Sequence, residues 1–313
     1  MLDQPQTKPL DARADPQDSA RGFAFALGAY VLWGVMPLYM KAVAHIPPTE
    51  VLAYRVLASI PIAGLAILVL RRTADIRAAL KSPRTLLMAA VTAALITTNW
   101  GVYVWAISVE RTIETALGYY INPLMSVALG AIVLKERLSR AQVAAVVLAL
   151  VAVAVLTVDA GGLPWVSLVL AATFAGYGFL RKTLPIGPTQ GFFLEVMITA
   201  LPALAFVGWL ASRGESHFLG GEPSDTWLLL FAGPVTAVPL ILYAFGAKLL
   251  KVSTIGILQY VAPTMIAAIA IFVFGEPFGV MRAIAFGFIW AALALYTWSM
   301  VAQRRAVPPA AAE

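Results

Sequence analysis

Ten stretches of mostly apolar residues, joined by short connections, constrain this chain more than any other feature. They run Gly22–Val43, Thr49–Leu70, Thr85–Val109, Thr112–Leu134, Arg140–Val158, Leu163–Leu180, Pro188–Ala211, Asp225–Lys248, Val252–Phe274 and Val280–Ala302. A helix needs about 20 such residues to cross about 30 Å of hydrocarbon. Only helices and closed barrels satisfy their own backbone there. The connections are short except around residues 71–84 and 212–224, which leaves no room for a soluble domain. The expectation is an all-α membrane protein of ten transmembrane helices occupying 22–302. Composition agrees, with 61% hydrophobic and 12% charged residues, where a soluble domain holds about half and a quarter.

The net charge of +6 does not mark a nucleic-acid binder, because Lys and Arg sit at the ends of apolar segments rather than in one stripe. With no cysteine, thiol chemistry and Cys-ligated metals are excluded, and no metal or cofactor is expected. His45 and His217 fall in loops and read as solvated. Residues 1–21 and 303–313 are polar, without an apolar signal segment, and read as cytoplasmic tails. If the N-terminus is cytoplasmic, 17 Lys and Arg fall inside and only Lys41, Arg111, Arg213 and Arg282 fall outside. That asymmetry predicts N-in and C-in in a bacterial inner membrane, with an even number of spans.

A shift of 140 residues aligns the two halves without a gap from Lys41 to Thr157. Pro48 and Thr49 meet Pro188 and Thr189. Pro83 meets Pro223, and Tyr103 meets Tyr243. Tyr120 and Pro123 meet Tyr260 and Pro263, and Glu136 meets Glu276. Chance would share Ala between two membrane segments, but not Pro, Tyr, Thr and Glu at one offset. Five helices per half, about 22–158 and 163–302, turn the second copy upside down in the membrane. The charges follow: Lys135-Glu136-Arg137 becomes Gly275-Glu276-Pro277, and Arg71-Arg72 becomes Ala211-Ser212. Such 5+5 inverted repeats are typical of secondary transporters, with a site near the midplane between halves that rock.

The segments Ala29–Lys41 (AYVLWGVMPLYMK), Glu50–Arg55 (EVLAYR), Thr98–Trp105 (TNWGVYVW), Glu114–Pro123 (ETALGYYINP), Phe231–Pro239 (FAGPVTAVP), Thr254–Pro263 (TIGILQYVAP) and Phe274–Pro277 (FGEP) carry a resemblance. They resemble the RarD branch of the EamA-type transporters, in the drug/metabolite transporter superfamily, from about Gly22 to Ala302. The resemblance implies a ten-helix inner-membrane permease in which helices 1–4 and 6–9 line the cavity and helices 5 and 10 pack outside. The branch carries a chloramphenicol-sensitive label, which adds drug export to the implied activities and is a weak guide to the natural substrate. One departure is Tyr54, where the branch often has His before the Arg, so no role of that His carries over.

Two ionisable residues lie deep in spans, Arg55 and Glu195, at equivalent positions under the 140-residue shift. A charge at mid-membrane costs roughly 3 kcal/mol on insertion scales and faces the bundle interior. From about 9–10 Å of depth from opposite surfaces, their backbones differ in level by roughly 10 Å. Three readings stand open: a structural pair or separate satisfaction of the two charges, docking of an anionic substrate group by Arg55, and carriage of a coupling proton by Glu195. Asn99, Asn122 and Gln259 need hydrogen-bond partners in lipid. Trp100, Tyr103, Tyr120 and Tyr260 lie too near span centres for an interfacial belt. Each of these could line a cavity or serve packing. Among prolines inside spans, Pro123 and Pro263 stand out as hinge candidates because they are paired by the repeat.

The partners expected are a small-molecule solute and the bilayer, with a homodimer left open. A membrane enzyme would want clustered His, Asp or Glu near one interface, and a pump a Gly-Lys phosphate loop; neither stands in the sequence. A channel, or a non-transporting assembly factor, is the alternative to a carrier.

Overall fold

The computed structural model describes residues 19–133, 135, 138–159, 161–250, 254–255 and 258–305. The expectations placed on Glu136, and on most of the two tails, fall outside the described residues. The helices are α1 (Ala20–Ala42), α2 (Pro48–Leu57), α3 (Ser59–Val69), α4 (Thr73–Leu80), α5 (Pro83–Ser108), α6 (Thr112–Val133), α7 (Arg140–Asp159), α8 (Trp165–Thr183), α9 (Pro188–Arg213), α10 (Pro223–Leu249), α11 (Val261–Ala268) and α12 (Val280–Arg305). A π-helical turn at Ile269–Val273 continues α11.

Among the described residues, eight helical segments are long and apolar enough to cross a bilayer, α2 and α3 counting together as Pro48–Val69. Two shorter apolar helices, Trp165–Arg181 and Val261–Val273, stand where the sequence places the sixth and ninth spans. The second is short for a local reason. Pro263 has no N–H to give the Gln259 carbonyl, and α11 begins only after a turn at Gln259 and Tyr260. Pro61 acts likewise on Leu57, and the expected second span breaks at Ala58 into α2 and α3.

Helix starts follow short signals. The Ser19 hydroxyl accepts from the Gly22 N–H at 3.0 Å and opens α1. Ser82 caps α5, and Glu222 and Asp225 form a reciprocal capping box on α10. Proline stands first in α2, α5, α9 and α10, where its missing N–H is harmless. The starts at Pro48, Pro83 and Arg140 recur 140 residues later at Pro188, Pro223 and Val280. The long connection 71–84 is not irregular: it holds α4, which buries Ile76 and Ala79.

The packing is reciprocal under the same shift. α1 lies on α10, and its counterpart α8 lies on α5; α6 lies on α8, and α11 on α1. α2 meets α9, α6 meets α11, and α7 meets α12, each with its own counterpart. Close approach depends on glycine at a few crossings. A Cβ on Gly118 of α6 would meet the Ser167 backbone of α8 at 2.9 Å. Large apolar side chains such as Leu65, Leu150, Leu201 and Trp290 point outward, as lipid contact requires.

Candidate functional site

Arg55 sits in the last turn of α2, only 2% exposed. Its Nε donates to the Thr236 hydroxyl of α10 at 3.1 Å, and its guanidinium carbon lies 4.7 Å from the Trp100 ring centre of α5. That stacking is a cation–π contact in a water-poor setting. Tyr39, Tyr103 and Tyr119 lie within electrostatic reach. Trp100 and Tyr103 are three residues apart and share a face of α5. Among the described residues no carboxylate comes within 4.0 Å of Arg55, and its Nη1 has no hydrogen-bond partner.

Asn99 builds the wall beside this charge. Its amide donates to the Leu170 carbonyl and the Thr173 hydroxyl of α8, both at 3.0 Å, and its oxygen accepts from Tyr119 at 3.2 Å. The Tyr119 ring lies 5.9 Å from that of Tyr103. The Tyr103 hydroxyl, and Oδ1 of Asn122 one turn beyond Tyr119 on α6, are buried without partners among the described residues.

Glu195 belongs to a different group. Its Oε2 accepts from the Tyr177 hydroxyl at 3.2 Å, and its Oε1 stands 3.4 Å from Arg181 Nη1. Both partners lie on α8, within the same half of the chain. Gly191, one turn before Glu195, makes room: a Cβ there would overlap the Arg181 guanidinium. Arg55 and Glu195 therefore do not pair. Each has its own polar company, Thr236 and Trp100 for Arg55, Tyr177 and Arg181 for Glu195.

The other candidates scatter. Tyr120 bonds the Thr264 hydroxyl at 2.5 Å and meets Phe286 edge-on. Tyr260 engages Gln259 and Thr297 of α12. These aromatics face α11 and α12, not Arg55. Pro123 lies inside a continuous α6, whereas Pro263 follows the turn at Gln259–Tyr260. The structure thus gathers Arg55, Asn99, Trp100 and Tyr103, and adds Tyr39, Tyr119 and Thr236.

The two histidines are not simply solvated. His217 Nδ1 donates to Glu50 at 2.8 Å, and the fully buried Glu50 also accepts from the Ser216 hydroxyl and the His217 N–H. His45 Nε2 donates to the buried Asp225 at 2.8 Å. Glu276 accepts the first two N–H groups of α6, from Thr112 at 2.7 Å and Ile113 at 2.9 Å. This is a capping role.

Residues 20–158 match the EamA-like transporter family. The chain is 41% identical over 284 residues to protein RarD of Streptomyces exfoliatus, covering 91% of this chain and 90% of that one. It is 37% identical over 283 residues to an uncharacterized transporter of Vibrio cholerae, covering 90% and 94%. A solved crystal structure matches with a TM-score of 0.59 at 19% identity, covering 94% of this chain and all of the other; that likeness speaks to fold alone.

Proposed function

Because the chain belongs to the RarD branch of the EamA-like transporters, and is a multi-pass membrane protein, we propose that it carries a small organic solute across the bacterial inner membrane by alternating access. The reading counts ten spans over 22–302 as a 5+5 inverted repeat, with the two shorter apolar helices as spans six and nine. Both tails are cytoplasmic, in line with 17 Lys and Arg on one side and four on the other. No catalytic role is assigned.

The observation that carries the proposal is the reciprocal packing. The main contacts between the halves recur in reciprocal form under the shift, an arrangement that suits an exchange of roles by a rocking motion. The Arg55 group lies where α2, α5, α6 and α10 converge, elements drawn from both halves. Tyr120, Tyr260, Pro123 and Pro263 lie along the α6–α11 contact and are assigned to the moving seam. Glu195, tied to Arg181, is assigned to holding α8 and α9 together.

The test is uptake into proteoliposomes of purified protein, with amino acids, amines, carboxylates and chloramphenicol, with and without a pH gradient. A carrier gives saturable uptake that an unlabelled excess suppresses. Flux linear in concentration would point to a channel, and its absence for every compound, from folded protein, would remove transport of these classes.

A further inference from the structure

We propose that Arg55 and Tyr103 form a recognition site for a monocarboxylate with a small apolar or aromatic body, which deepens the transporter reading above. The argument starts from what the protein leaves undone. A buried guanidinium in a membrane interior is ordinarily neutralised or fully hydrogen-bonded. Arg55 is neither among the described residues: Nε is used by Thr236, while Nη1 has no partner and no carboxylate is within 4.0 Å. The Tyr103 hydroxyl is a second buried polar group without a partner among the described residues, in a residue only 3% exposed. Stacking of Arg55 on Trp100, one turn from Tyr103, brings both unused donors to one face of α5.

Two separate donors suit the two oxygens of a carboxylate. A phosphate or sulfate dianion would want a second cation, and Arg55 is the one cation in this group of described residues. Trp100, Tyr103 and Tyr119 supply flat apolar surface for the remainder of the solute. The unused Asn122 Oδ1 accepts a hydrogen bond, which favours a solute bearing an O–H or N–H beside its carboxylate.

Calorimetric binding to the full chain in lipid nanodiscs tests this without requiring transport. The probes are 3-phenyllactate and benzoate, with 2-phenylethanol, inorganic phosphate and chloride for comparison. Saturable binding of the two carboxylates, absent for the alcohol and weaker for the inorganic anions, is the expected result. Tyr103→Phe deletes only an unused hydroxyl, so it leaves folding intact and weakens phenyllactate binding about three- to tenfold. Arg55→Lys weakens it by at least about tenfold, because an ammonium lacks the planar fork. The proposal is overturned if neither carboxylate binds the folded parent, if phosphate or chloride binds as well as phenyllactate, or if Tyr103→Phe binds like the parent. Binding without any uptake would sustain this site and sink the transporter reading, so the two fail separately.

Discussion

At the residue scale the two deep charges have different fates, and the difference is physical. Glu195 has an ion-pair partner in Arg181, whose side chain is 15% exposed against 3% for the carboxylate. Glu195→Gln should lower stability by about 1–3 kcal/mol, less than a fully buried pair because Arg181 keeps some access to polar surroundings. Adding Arg181→Gln should recover part of that loss, read as non-additive melting temperatures in a double-mutant cycle. Strict additivity would show that the two side chains do not interact. Transport sharpens the reading: if Glu195→Gln accumulates solute under a pH gradient as the parent does, proton coupling through Glu195 is excluded. Arg55 and Glu195 were legible in the sequence because a charge inside an apolar window stands out. Arg181 was not, since it lies at a span end and counted as a topology signal. Thr236 and Tyr177 were invisible for another reason: they are uncharged, and only the rotation of α10 and α8 brings them to the charges. The histidines were misread because their carboxylate partners, Glu50 and Asp225, lie 167 and 180 residues away in sequence.

At the element scale, prolines and small residues set where helices start, break and cross. The break at Ala58 is matched by Gly233 of α10, where a Cβ would overlap the Ala58 carbonyl. Gly233→Ala should therefore cost about 1–3 kcal/mol, because backbone cannot yield as a side chain can. Gly208→Ala is the control: its Cβ meets nothing within 4 Å on α9, and removing glycine from a helix interior should stabilise by about 0.5–1 kcal/mol. Thermal melts in one detergent compare the two, and equal effects would argue against the close crossing. The N-terminus of α6 offers a second test. Glu276→Ala strips the acceptor from the Thr112 and Ile113 amides, so it should cost about 1–2 kcal/mol and speed hydrogen exchange there. Unchanged exchange would rule out the cap. The all-helical class, eight of the spans and many helix starts were readable because length, Pro and capping residues act locally. The π-helical turn at Ile269–Val273 carries no such local mark, and α4 was hidden in a segment too short and polar to read as a span.

At the scale of the whole molecule, a set of polar links joins the halves at one end, the outer one in the charge-based orientation. Tyr39 donates to the Leu228 carbonyl, His45 to Asp225, and Ser216 and His217 to Glu50, while Glu276 holds α6. Among the described residues, Gln190 to Asp75, Ser139 to Ser299 and the Ser19 N–H to the Leu249 carbonyl join the halves at the opposite end. Under the proposed alternating access the outer end must open, and Glu50 fastens it: a fully buried carboxylate with three donors from the other half. Glu50→Gln removes the charge and sets an amide against the His217 ring, weakening closure by about 1–2 kcal/mol. A shift of that size changes the open-to-closed ratio about five- to thirtyfold. The chain has no cysteine, so spin labels at the exposed Ala42 and Ser224 report the distance across this end alone. Glu50→Gln should move their distance distribution toward longer separations. Glu110→Gln, which removes a Lys41 pair with 39% and 75% exposed side chains, should leave it unchanged, because water screens such a pair. A distribution in Glu50→Gln that overlays the parent would mean that this end is closed by apolar packing, such as the Tyr54–Phe218 stack at 5.0 Å, and that the buried carboxylate orders the loop without controlling its opening.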